Sequence, residues 1–182
     1  SEDRGKANYG WLDTKYSFSF ANYYNPKMMN FGMLRVLNDD TVVPAMGFGT
    51  HPHDNMEIIT IILEGALEHK DSMGTGSVIY KDEVQVMSAG SGITHSEFNP
   101  SDKEGVKLFQ IWIFPKEKNI KPRYDQKSFP VSDRKNKLIP AVSGLNKESS
   151  LYIHQDAEIY LGNFEKGKKI NCQISNPANG AY

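Results

Sequence analysis

Two short segments each place a histidine two residues from another metal-binding side chain: His51-Pro52-His53 and, further along, His95-Ser96-Glu97. Alternate side chains of an extended strand share a face, so His51 and His53 can point the same way, and so can His95 and Glu97. Two such strands lying side by side would surround one point with three imidazoles and one carboxylate, a metal site in outline. A lone HxH pair arises often by chance and more often than not binds no metal; the second pair, also in a strand-like segment, gives the first its meaning. Neutral imidazoles and a carboxylate suit iron, manganese, nickel, copper or zinc better than magnesium or calcium, which prefer all-oxygen shells. Four protein ligands on an ion that accepts six leave positions open.

At 182 residues the chain has the length for one substantial β domain, or one and part of a second. The formal net charge is -1, from 21 basic and 22 acidic residues, with no long single-sign block. That balance gives no footprint for nucleic acid or an anionic membrane. The apolar runs Ile58 to Leu63 and Ile111 to Phe114 are too short to span a bilayer, and no signal peptide precedes the first strands. The expectation is a cytoplasmic protein. Cys172, the single cysteine, allows no internal disulfide, in keeping with a reducing compartment, and is expected as a small buried apolar residue. The chain begins at Ser1 rather than Met and stops at Tyr182 just after a strand-like stretch, so both ends are expected to be trimmed.

The pattern along the chain is one of short strands between turn signals, with no sustained helical period. Strands are expected over Phe31 to Asn38, closing on a turn at Asn38-Asp39-Asp40, then over Met46 to His53 and Glu57 to Leu67. The last of these is almost continuously apolar in its middle, as in a strand buried on both faces. Lys70 to Gly76 turns the chain into a hairpin. Ser77 to Tyr80, Val84 to Ala89, Ile93 to Phe98 and Val106 to Phe114 follow as strands. A charged, proline-bearing stretch from Lys116 to Lys137 has the composition of a linker. Leu151 to His154, Glu158 to Phe164 and Lys169 to Ser175 read as three more strands, too few to close a barrel alone.

Many short antiparallel strands carrying two separated ligand pairs resemble the cupin superfamily. Its first motif matches His51, His53 and Glu57, and its second Gly92, His95 and Asn99. More narrowly, GFGTHPHDNMEIITIILEGALEHKDSMG, from Gly47 to Gly74, and MSAGSGITHSEFNP, from Met87 to Pro100, are similar to the pirin family. The similarity runs from Trp11-Leu12 and Phe18 to Tyr24, through Phe109 to Pro115, to His154 to Tyr160. It implies an all-β fold: a jelly-roll-like, antiparallel β-barrel of the cupin type, in a bicupin whose second barrel is incomplete in this chain. Residues 1–115 would form the metal barrel, 116–140 a linker, and 141–182 the start of a C-terminal cupin-like domain; family members continue well past Tyr182.

The resemblance also implies a ligand set of His51, His53, His95 and Glu97. Iron comes first as the metal, with manganese, nickel, copper and zinc as alternatives. It implies an activity as well: some bacterial pirins open the flavonol quercetin with dioxygen and release carbon monoxide. Glu97 would then also be the catalytic group that accepts the flavonol's proton. The implied partners are a flavonol and dioxygen, without nucleic acid or membrane. Pirins are also known as non-enzymatic, redox-sensing regulators that bind a protein partner, and the cupin fold hosts other chemistries; both stay open here.

Glu57 competes with Glu97 for the fourth position, but it lies four residues beyond His53, roughly 13 Å along an extended strand. It is assigned a supporting or structural role instead. His69 is expected as a structural or rim histidine, and His154 outside the metal barrel. Trp112, Phe114, Phe18 and Phe20 are expected in the cores, with one of them free to stack on a flavonol. Met46, Met56 and Met87 are read as core filling or as the lining of an apolar pocket.

Overall fold

The computed structural model describes residues 3–145, 148–172, 174 and 180–182. Its strands are β1 (Gly5–Asn8), β2 (Leu12–Tyr16), β3 (Leu34–Val42), β4 (Gly47–His53), β5 (Glu57–Glu64), β6 (Ala66–Asp71) and β7 (Gly76–Tyr80). They continue with β8 (Glu83–Ser88), β9 (Ile93–Phe98), β10 (Val106–Ile113), β11 (Arg123–Ser128), β12 (Leu138–Ser143), β13 (Leu151–Tyr152) and β14 (Glu158–Gly162). A 3-10 turn at Val131–Arg134 is the one helical element among the described residues. No helix there is long and apolar enough to cross a membrane.

Three sheets result: seven strands in the order β1-β2-β3-β10-β5-β8-β11, four in the order β4-β9-β6-β7, and three in the order β13-β12-β14. Gly65, with φ +75°, lies between β5 and β6 and turns the chain from the first sheet into the second. The apolar run expected as one strand from Glu57 to Leu67 therefore breaks there.

β5 is buried on both faces from Glu57 to Ile62, and the two faces do different work. Its even positions pack inward against the four-stranded sheet. Ile58 joins Met87, Ala89 and Ile93 beside Trp112, and Ile62 joins Leu67, Ile79, Val106 and Leu108. Its odd positions pack outward. Ile59 and Ile61 meet Val84, Val86, Ile111 and Ile113, and across from them Ala141, Val142, Leu151 and Ile153 of the three-stranded sheet and its connection. One apolar core thus joins the seven-stranded and three-stranded sheets.

Several expectations change. Asn38-Asp39-Asp40 is not a turn but the middle of β3, paired with β2 and β10. Asn38 and Asp40 point inward with Val36 and Val42 while Asp39 pairs with Arg4, so strand parity overrides turn composition. The stretch expected as a linker contains β11, which pairs with β8 at the edge of the seven-stranded sheet. Of Lys169 to Ser175, Gln173 and Ser175 lie outside the described residues and the rest forms no strand. Cys172, expected to be buried, is exposed. Phe114 and Met46 are also exposed, each just beyond a strand end.

Burial pushes the Asp40 carboxyl up to about 6 from an ordinary 3.8, and the neighbouring Asp39 charge adds to it. The fold therefore favours the neutral acid. That stabilisation is complete below about pH 4 and is lost as pH rises through 6. Asp40→Asn should accordingly be more stable than the parent at pH 8, by up to about 3 kcal/mol, with the difference vanishing near pH 4. Urea unfolding at the two pH values checks this.

Candidate metal centre

β4 lies antiparallel to β9 with His51 opposite His95 and His53 opposite Ile93. Gly47 permits the approach at the strand end, since a Cβ there would collide with the Glu97 carbonyl. The ring centroids of His51 and His95 are 4.5 Å apart, those of His51 and His53 4.8 Å, and those of His53 and His95 5.0 Å. The edge of the Trp112 indole lies against His53 at 4.9 Å, backed by Phe20 at 5.3 Å.

Among the described residues two groups offer ligand atoms within 4.8 Å of one another. One is His51, His53 and His95; the other is His69, His95 and Glu97. His95 belongs to both. The carboxylate expected as fourth ligand thus falls in the second group, where Gln110 donates to Glu97 Oε2 at 3.0 Å and the Thr60 hydroxyl to Oε1 at 3.4 Å.

The donor set fits a cation on observations of the protein itself. His51 donates its Nδ1–H to the Gly49 carbonyl at 2.8 Å, which leaves Nε2 as the lone-pair nitrogen. His95 places Nδ1 against His69, and its Nε2 is buried with no hydrogen-bond partner. A buried polar atom without a partner is costly unless something else satisfies it. Burial lowers the His53 pKa to about 4, helped by His51 and opposed by Asp54. Burial, then His51, His53 and His69, hold His95 far below the ordinary imidazole range. Both rings are neutral at neutral pH, the form a metal requires. Burial and the charge of Asp40 push Glu97 up to about 7 against the hydrogen bonds from Thr60 and Gln110. A cation beside it would favour the carboxylate again.

Of the two places expected for His69, structural or at a rim, the structure excludes the rim. The residue is fully buried, opposite Glu97 in the β6–β9 pairing. The signal was the alternation of Leu67, His69 and Asp71, hidden by the apparent continuity of β5 through Gly65. Glu57 lies on the outward face of β5, turned from the histidines, where Ser88 Oγ donates to it at 2.8 Å and His154 Nδ1 stands at 3.5 Å. It thus stands at the junction of the sheets. An open depression of about 500 Å³, lined by His53, Asp54, Ser72, Gly92, Ile93 and Thr94 among others, lies at the His53 end of the cluster.

Comparison with known proteins gives the arrangement its lineage. Residues 1–113 match the Pirin family, and residues 141–182 match the quercetinase C-terminal cupin domain. The chain is 50% identical to the quercetin 2,3-dioxygenase of Escherichia coli K12 over 175 residues, 96% of this chain and 74% of that protein. It is 42% identical to a pirin-like protein of Caulobacter vibrioides over 177 residues, 97% of this chain and 76% of the relative. The crystal structure of the bacterial pirin YhhW from Escherichia coli in complex with nickel(II) superimposes with a TM-score of 0.83 at 50% identity, covering 87% of this chain and 67% of the other. With matches over most of its length and a shared fold with a solved bacterial pirin, the chain belongs to the pirin family of cupin proteins.

Proposed function

We propose that this chain is a metal-dependent dioxygenase that opens the ring of a quercetin-like flavonol with dioxygen and releases carbon monoxide. The observation that carries the reading is the buried, partnerless Nε2 of His95 in a cluster with the rings of His51 and His53. Relatives 50% identical carry the name quercetin 2,3-dioxygenase, and a bacterial pirin of the same identity is known with nickel(II). His51, His53, His95 and Glu97 are the proposed ligands of one divalent ion. When bound, that ion supplies a Lewis acid for the flavonol's 3-hydroxyl oxygen and a centre at which the flavonolate meets dioxygen.

The protein's own side chains do the rest. His53 lines the open depression at the end of the cluster. Trp112 fixes the His53 ring, and its own Nε1–H is buried without a partner, a donor available beside the site. Glu97 would accept the flavonol's proton, and Gln110 and Thr60 hold its carboxylate in place.

The test is carbon monoxide release when the protein, loaded in turn with iron, manganese, nickel or copper, meets quercetin in air. Release that requires a bound metal supports the assignment and ranks the metals. One metal bound per chain without release would overturn the dioxygenase reading and favour the regulatory one.

A further inference from the structure

The side chains of Asp71 and His69 are both excluded from solvent beside His95, and the proposed chemistry uses neither. Asp71 Oδ1 accepts the backbone N–H groups of Met73 and Thr75 at 2.9 and 3.0 Å, so the β6–β7 turn fixes the carboxylate. Its Oδ2 remains for His69 Nε2, 3.1 Å away. As a carboxylate, Asp71 can only accept, so His69 carries its proton on Nε2 and has a lone pair on Nδ1. That lone pair faces His95 Nδ1 at 3.4 Å. His95 must then donate from Nδ1, which leaves Nε2 bare. Tyr124 stacks on the His69 ring at 4.7 Å and 28°, and its hydroxyl is anchored on Gln126 Oε1 at 2.8 Å, so the plane of His69 is held as well.

We propose that Asp71 and His69 are positioning residues, a hydrogen-bonded relay that sets the tautomer and ring orientation of His95 so that its Nε2 is presented as a metal ligand. A carboxylate acting on a ligating imidazole commonly works directly; here a second, non-ligating imidazole is interposed. The consequence for metal affinity rests on the metal-centre reading above, whereas the tautomer does not.

Asp71→Asn tests the relay with almost no change of shape. The amide oxygen still accepts from Met73 and Thr75, but the amide nitrogen now donates to His69 Nε2. Every proton in the chain reverses: His69 carries its proton on Nδ1, and His95 carries its proton on Nε2, where the metal would bind. In 15N NMR of the metal-free protein at neutral pH, His95 is expected protonated on Nδ1 in the parent and on Nε2 in D71N. Nickel affinity, measured by competition with a chelator, is expected to fall about 10–100-fold. His69→Phe keeps an aromatic ring on Tyr124 but removes the acceptor; it should lose the tautomer preference and weaken nickel comparably, and serves if D71N fails to fold. The same His95 tautomer in parent and variants, or a switched tautomer with unchanged nickel affinity, overturns the proposal. Expected tautomers in a parent that binds no metal would instead overturn the metal-centre reading and leave the relay standing.

Discussion

His95→Ala is expected to abolish metal retention and, on the proposed function, flavonol cleavage with it. His95 is the one residue common to both ligand groups, and its deletion breaks each of them. Loss of a ligand should exceed the roughly 10–100-fold effect of disturbing a residue that only orients one, so affinity should fall by more than about 100-fold. Metal content after dialysis and carbon monoxide release read the two losses separately. A variant that kept one metal per chain would place the ion elsewhere. The metal-free protein gives a second readout with a definite sign. Because folding lowers the His95 pKa, its neutral ring supports the fold above the ordinary imidazole value of 6.5, and that support is lost as pH falls below it. His95→Ala should therefore lose less stability than the parent between neutral pH and pH 5.

Ile153→Ala should destabilise the whole protein by about 2–5 kcal/mol, the usual range for truncating a fully buried isoleucine. Ile153 is completely excluded from solvent in the core shared by the seven-stranded and three-stranded sheets. Since Ile59, Val86 and Ile113 pack into that same cluster, the loss should appear as one cooperative transition shifted to lower urea. A separate early transition, with the remainder unfolding at the parent's midpoint, would mean that the three strands are stabilised independently. The comparison also separates stability from chemistry, because the truncated side chain lies on the face turned from the histidines.

The imidazole cluster was legible because its signal is a local one. Two-residue spacing in strand-like segments places His51 with His53 on one face, and the pairing of β4 with β9 brings His95 to them. Glu97 was legible as the partner of His95 but not as a neighbour of His69, which depends on the pairing of β6 with the other edge of β9. That pairing is set by the corner at Gly65, and no apolar count reveals it. The buried middle of β3 was hidden by the turn-like chemistry of Asn38-Asp39-Asp40, although Val36 and Val42 share the parity of Asn38 and Asp40. The edge strands β1 and β11 were missed for a different reason. Their sequences GKAN and RYDQKS are polar because one side of each meets no further strand, and natural edges are kept charged. Hydrophobic periodicity is silent there by construction.

The two faces of β5 also separate what can change freely from what cannot. Its eight residues interleave two sets of constraints: Ile58, Thr60 and Ile62 face the interior that holds the histidines, while Glu57, Ile59 and Ile61 face the third sheet. Divergence at the odd positions can retune how firmly the C-terminal strands are held without touching the histidine cluster, and divergence at the even positions can reshape the surroundings of that cluster without loosening those strands. A directed library confined to one parity of this strand would therefore explore durability or selectivity, each independently of the other.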